Sequence, residues 1–313
     1  NYNILGLLIE KLSESGYKDH VRNNIFNPLG MKNSFLSRAE GVEAGLADGY
    51  TKVVGFPVAG EVQYLDSALA AGFIISTAED MCRYLLMHLT GGRSGGNVIL
   101  SESGLMNLYR PGEVEQGDSN YAMGLVAVED EGNKLIMHDG MTQGFNSGFV
   151  FSPEGRWGVV VLTNVGTMIE LPAMPLALAV ADLIQGETPQ TGAKASRNYY
   201  LAALFLFFAM LVLTIRSLFL LPKKWAHRLK ADRPQGFLQF LSRLIIPAVL
   251  EATVPLLVFL MIPGSAGFPV WQLLGLYHPD LVWGLLVIAA LLFVKVIWRL
   301  MIIFRLHVNY KLA

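Results

Sequence analysis

The sequence predicts an α+β domain followed by an α-helical membrane domain, and three observations carry that prediction. The chain of 313 residues is 53% hydrophobic and 16% charged, too apolar for an ordinary soluble protein. Its charge divides unevenly: residues 1–197 hold 13 basic and 22 acidic side chains, whereas residues 198–313 hold 11 and 3. Within the acidic part, helical periodicity gives way after Tyr121 to short β-rich runs separated by turn residues.

Ile4, Leu5, Leu7, Leu8 and Leu12 form an apolar stripe that predicts an opening helix ending near Gly16. A second helix is expected over Tyr17 to Phe26, before Asn27-Pro28-Leu29-Gly30. A third begins at the capping-box pattern Ser76-Thr77-Ala78-Glu79, carries Met81, Tyr84, Leu85 and Leu89, and stops at Gly91-Gly92. Strands are expected near 121–128, 134–137, 146–151 and 157–163, an antiparallel meander with a turn at Ser152-Pro153-Glu154-Gly155. An amphipathic helix from about Leu171 to Ile184 can cover one face of that sheet. The stretch 187–197 has linker composition, so the first domain is bounded at 1–186.

The basic part, 198–313, contains three apolar runs, at about 198–221, 240–262 and 281–304. Each is long enough to cross about 30 Å of hydrocarbon at about 1.5 Å per residue. Arg216 lies near one end of the first; Glu251 interrupts the second, and Lys295 and Arg299 the third. Lys223, Lys224, Arg228, Lys230, Arg233 and Arg243 lie between the first two runs, while Gly264 to Asp280 has no Lys or Arg. The positive-inside rule therefore places the first loop and the C-terminus in the cytoplasm and residues 1–197 outside. An outside domain calls for an export signal. The chain opens instead on Asn1 and a structural helix, so it is expected to be a fragment.

Several functions are disfavoured by composition. The positive charges flank apolar runs and form no basic face interleaved with aromatics, so no nucleic-acid partner is expected. Cys82 is the single cysteine and has no intrachain disulfide partner. His20, His88, His227, His278 and His307 are scattered without ligand spacing, so neither a metal nor another cofactor is expected.

Four blocks carry a family resemblance: NYNILGLLIEKLSESGY, IFNPLGMKNS, AAGFIISTAEDMCRYL and HDGMTQGFNSGFVFSPEGRWGVVVLTN. Their order resembles that of class C β-lactamase-related penicillin-binding serine hydrolases, over nearly all of residues 1–164. The resemblance implies the C-terminal part of a β-lactamase/transpeptidase-like domain, an antiparallel sheet flanked by helices. It also implies acyl transfer, in which the Ser of an S-x-x-K motif attacks a carbonyl while that Lys and the Tyr of a Y-x-N motif move protons. Neither motif stands in a usable place here. Ser15-Gly16-Tyr17-Lys18 has the S-x-x-K spacing but reads as a turn, and Tyr2-Asn3 lacks the Y-x-N spacing. The nucleophile Ser with its Lys and Tyr is thus expected upstream of Asn1, and the chain alone is expected to be inactive.

What the resemblance leaves in this chain is the third motif, read as His138-Asp139-Gly140 where the family often has Lys-Thr-Gly. It implies that His138 lines the catalytic site, that Gly140 permits close approach of the acyl group, and that the Met141 N–H donates to the oxyanion. Thr142, Gly144 and Phe145 complete the block as expected substrate-binding positions. A titratable imidazole in place of a fixed positive charge suits carboxylate-bearing substrates less well.

The expected function is that of a multi-pass, membrane-anchored extracytoplasmic serine hydrolase, an esterase, amidase or peptidase. Its expected partners are a small-molecule or peptide substrate and the lipid bilayer. The alternative is an inactive membrane-bound binding or sensory module on the same fold. Loss of the upstream elements is expected to leave a sheet face exposed.

Overall fold

The computed structural model describes residues 1–60, 62–110, 121–130, 133–167, 173–189, 193–231, 242, 245–253, 256, 275 and 277–311. They fall into two compact units, one of Asn1–Lys52 with Phe56–Arg197 and one of Val53–Gly55 with Asn198–Ala313.

In the first unit, α1 (Tyr2–Ser13) ends on Glu14, whose φ of 55° is left-handed. Next come α2 (Tyr17–Val21), a π-helical turn Arg22–Phe26 and α3 (Asn27–Leu29), which stops at Gly30 with φ 68°. The helix thus runs past the predicted end at Phe26. The π-helical turn shifts the hydrogen-bond ladder, Asn27 N–H reaching back to the Arg22 carbonyl, so Pro28 is carried without a break. Short elements follow: α4 (Arg38–Glu43), β1 (Tyr50–Val53), β2 (Phe56–Ala59) and α5 (Leu69–Gly72).

Helix α6 (Ala78–Leu89) is capped by Thr77, whose hydroxyl accepts from Asp80 N at 3.2 Å. The cap therefore sits one residue later than the Ser76–Glu79 pattern suggests. Glu79 faces outward to Arg83 at 2.7 Å, while Asp80 turns into the core. The hairpin β3 (Arg93–Ser94) and β4 (Asn97–Val98) leads to α7 (Glu102–Leu108), capped by the Ser101 hydroxyl.

A four-stranded antiparallel meander follows, β5 (Val126–Asp130), β6 (Asn133–Thr142), β7 (Phe145–Ser152) and β8 (Trp157–Thr163), paired in that order. Two strand limits differ from the sequence expectation. Tyr121 makes only an isolated bridge to Val126, because the chain turns tightly at Gly124, φ 79°, with Ala122 N–H donating to Leu125 O. And β6 continues five residues beyond 137: pairing with β7 sustains His138–Thr142, a polar, glycine-containing stretch without an alternating apolar pattern. A parallel pairing of β9 (Val165–Gly166) with β1, Tyr50 opposite Val165, had no sequence signal.

Residues alternate across the meander. On one face Ile136 and Phe151 join Leu85, Met87 and Tyr109 in the main core. On the other, Leu135, Val150 and Val159 pack beneath α8 (Ala173–Gln185) through Ala177 and Ala181. The alanines bring α8 so close that a Cβ on Gly148 would lie 2.7 Å from the Met174 backbone nitrogen. Both sheet faces are therefore largely covered, contrary to the expected exposed face. Coverage thins only at one end, around His138, Ser147 and Leu162. The large uncovered apolar surface lies instead on α1, where Ile4 is 68% and Leu12 77% exposed.

The second unit contains α9 (Ala193–Ala231) from Asn198 onward, a helical stretch 246–253 and α10 (Pro279–Lys311). Helix α9 begins inside the expected linker 187–197, since Ala193-Lys194-Ala195 favour helix. Two stretches of 23 residues each, Asn198–Leu220 and Pro279–Met301, are long and apolar enough to cross a membrane. The expected third span, 240–262, lies mostly outside the described residues; two candidate spans stand among the described residues, where three were expected of the whole chain. The Phe207 ring of α9 occupies the place where a Cβ on Gly284 of α10 would be, which sets these helices close together.

Candidate active site

The far half of β6 is an open edge. Strand β5 pairs with residues 133–137 only, so among the described residues 138–142 are paired on the β7 side alone. In an antiparallel strand alternate backbone N–H and C=O groups point to each side, and those of 138–142 facing away from β7 have no strand partner among the described residues. His138, Gly140 and Thr142 share one face of this edge; Asp139 and Met141 share the other. His138 is half-buried and Asp139 is exposed.

A tyrosine stands beside His138. The Tyr121 ring lies 6.1 Å from the imidazole, centroid to centroid, at 59°. Its hydroxyl is hydrogen-bonded to that of Tyr2, the first residue of α1. Burial, followed by this hydrogen bond, pushes the Tyr121 phenol up to about 12. The ring therefore stays neutral at physiological pH and can act as a hydrogen-bond donor or an aromatic wall, not as a phenolate.

Gly140 lies directly across from Ser147, and any Cβ on it would run into the Ser147 hydroxyl. The bare strand there admits close approach of another chain or ligand. Met141, opposite Asn146, is half-buried. Thr142 and Phe145 form the last pair before the β6–β7 turn, where Gly144 has φ 80°. Gly144 is buried, with a virtual Cβ only 2.9 Å from Gly49 Cα, so backbone packing alone accounts for its being glycine. The Phe145 ring lies against Gly49, and the Gln143 side chain accepts from Gln63 N at 2.9 Å. The motif thus divides: His138, Gly140 and Met141 lie on the open-edged half, while Gly144 and Phe145 seat the turn against the loop at Gly49.

Ser15 is remote from this arrangement in chemical terms. Its hydroxyl meets that of Ser13 at 3.0 Å, and Lys18 reaches Asp66 at 3.5 Å instead. No group of three or more potential metal-ligating side chains is present among the described residues. Sequence reading missed Tyr2, Tyr121 and Ser147. Ser147 was legible in principle, being the cross-strand partner implied by a two-residue turn after Thr142. Tyr2 and Tyr121 are 119 positions apart and carry no local signal.

A family model described as Beta-lactamase matches residues 1–180. Protein flp of Staphylococcus aureus is 23% identical over 168 residues, 53% of this chain and 32% of that protein. The octameric penicillin-binding protein homologue from Pyrococcus abyssi is 27% identical, with a TM-score of 0.52 over 60% of this chain and 42% of that one. The class C beta lactamase from Rhodobacter sphaeroides is 20% identical, with a TM-score of 0.47 over 59% of this chain and 58% of that one. The chain spans about a third of the length of the staphylococcal relative. Matched by the family model over more than half its residues, and folded like a penicillin-binding protein homologue, the chain belongs to the Beta-lactamase family.

Proposed function

We propose that this chain is the C-terminal part of a membrane-anchored serine hydrolase whose catalytic domain works outside the cytoplasmic membrane on an ester, amide or peptide. The observation that carries the reading is the open edge of β6, which bears His138 and Gly140 on one face. A substrate laid along that edge can pair with its free backbone groups. Gly140 gives the acyl group room, and the Met141 N–H is the proposed oxyanion donor. His138, with the neutral Tyr121 at its flank, is the proposed hydrogen-bonding group toward the substrate or the proton-transferring Tyr of the missing motif.

The serine of an S-x-x-K motif, outside this chain, would add its Oγ to the substrate carbonyl carbon while its proton passes to the departing alcohol or amine. Water then cleaves the resulting ester and returns the proton to Oγ. Anchoring rests on Asn198–Leu220 and Pro279–Met301. The outward-facing large side chains of the first, Phe205 at 72% and Phe219 at 76% exposed, suit contact with lipid. The charge asymmetry of 11 basic against 3 acidic residues after Asn198 sets the proposed orientation, with the C-terminus in the cytoplasm. That orientation calls for an odd number of crossings, and the apolar run of the sequence at 240–262 would be the third.

The test is activity-based labelling of the full-length gene product in membranes with a fluorophosphonate and with a fluorescent penicillin. Covalent labelling that denaturation before addition of the probe abolishes supports the reading. A folded, membrane-integrated protein that takes neither probe would overturn it in favour of a binding or sensory module.

A further inference from the structure

The second unit turns charged side chains inward and apolar ones outward. In the helical stretch 246–253, Ile246, Val249 and Leu250 are exposed, whereas Ala248 is buried and the Glu251 side chain is only 17% exposed. On α10, Phe293, Val294, Ile297 and Leu300 are exposed, while the Lys295 and Arg299 side chains are 12% and 7% exposed. Lys295 Nζ and Arg299 Nη2 both reach Glu251 Oε1, at 2.7 and 2.8 Å. Helices packed in water bury an apolar stripe and leave their charges to solvent. These do the reverse, which suits a lipid surround.

The positions of these charges along their apolar runs match. Glu251 is the central residue of the run 240–262, eleven residues from each end. Lys295 and Arg299 stand nine and five residues before Phe304, where the run 281–304 ends, or about 14 and 8 Å along the axis. In a bilayer with about 30 Å of hydrocarbon those depths lie among the acyl chains. An ionised side chain at the centre of a lone span disfavours insertion roughly a hundredfold. Opposite charges on two spans relieve that penalty only where they meet.

We propose that Glu251, Lys295 and Arg299 form an intramembrane ion cluster that makes the run 240–262 a membrane span only together with α10. Alone, the run would carry a bare carboxylate to mid-depth. Against α10 that carboxylate meets two cations, which gain an anion that residues 281–304 do not themselves supply. The second and third crossings thus insert as a pair. The inference rests on the membrane-anchored reading and deepens it, by making the third crossing conditional on a contact between two helices.

The test follows the segment between those two runs in the full chain. Cys82→Ser removes the native thiol, and Ser265→Cys places a new one there, to be labelled in right-side-out vesicles by a membrane-impermeant maleimide. Release of this parent by alkaline carbonate would overturn the membrane reading itself. A resistant parent left unlabelled would keep the anchoring and overturn the ion-paired crossing. With the parent labelled, Glu251→Lys should lower labelling at least about tenfold. The exchange of Glu251→Lys with Lys295→Glu carries the same lysine in the run but restores opposite charges, and should label within about twofold of the parent. Lys295→Leu keeps the Arg299–Glu251 pair and should also stay within about twofold. Full labelling of Glu251→Lys, an exchange no better than Glu251→Lys alone, or a loss in Lys295→Leu as large as in Glu251→Lys would each overturn the proposal.

Discussion

The Ser34 hydroxyl donates to Asp80 Oδ2 at 2.8 Å in the interior of the first unit, where Asp80 is fully buried. The same oxygen accepts from Asn33 N at 2.7 Å, and Oδ1 takes Arg83 Nη1 at 2.7 Å. One carboxylate at the start of α6 thereby holds the loop that follows Gly30 and Met31. Asp80→Ala takes the acceptor from the buried Ser34 hydroxyl, which keeps Ser76, and from the Asn33 N–H, while Arg83 keeps Glu79, and should destabilise the unit by about 2 kcal/mol. Asp80→Asn, which keeps the size but turns a donor toward donors, should cost about half as much. Urea unfolding midpoints of the full-length protein and both variants decide it, and a midpoint unchanged in Asp80→Ala would remove Asp80 from this role.

His88 makes the domain sensitive to mild acid. Its Nδ1 meets the Tyr109 hydroxyl at 2.7 Å, it is 3% exposed, and Nε2 has no partner among the described residues. Tyr84 and Phe151 enclose the ring, and burial lowers its pKa from 6.5 to about 4. Between those values the unfolded chain binds the proton and the folded one does not, so stability is full above about 6.5 and falls as pH drops toward about 4. The loss from about pH 7 to about pH 5 should be about 2 kcal/mol. His88→Phe should be less sloped over the same interval, whatever its absolute stability. Equal slopes in the two proteins would show that other groups set the acid response.

The parts of this fold that were legible in the sequence are those specified by local pattern. The stripe of α1, the Thr77 cap region, the turn at Ser152–Gly155 and the apolar runs of α9 and α10 each need only a few neighbouring residues. The parts that were not depend on distant partners. Residues 138–142 extend as strand because β7 pairs with them, and β9 lies beside β1 across more than a hundred residues. The site shows the same division. His138 and Gly140 stood in a motif, whereas Tyr121 is placed at the imidazole by the Gly124 turn and the contact with Tyr2.

That placement predicts separable effects in the full-length hydrolase. Tyr121→Leu removes the ring beside His138 and should lower kcat/KM for a neutral aryl ester by about tenfold. Tyr121→Phe keeps the ring and loses the hydroxyl with its contact to Tyr2, and should stay within about threefold of the parent. Steady-state kinetics on p-nitrophenyl esters would show this. A larger loss in the Phe variant than in the Leu variant would assign the hydroxyl, not the ring, to the work.

Gly140 and Gly144 lie on one hairpin and forbid a side chain for different reasons, which a double-mutant comparison can separate. A methyl on Gly140 meets the Ser147 hydroxyl, a side-chain atom on the facing strand. Gly140→Ala should therefore cost about 2 kcal/mol, and adding Ser147→Gly should restore about 1 kcal/mol relative to the sum of the single changes. A methyl on Gly144 meets the Gly49 backbone at 2.9 Å and must also adopt φ 80°. Gly144→Ala should cost at least as much, and Ser147→Gly should give no relief, because neither the Gly49 backbone nor the left-handed torsion changes with residue 147. Thermal unfolding of the five proteins and the parent tests both statements. If Ser147→Gly relieved both alanine variants equally, the close contact at Gly140 would not be what demands glycine there.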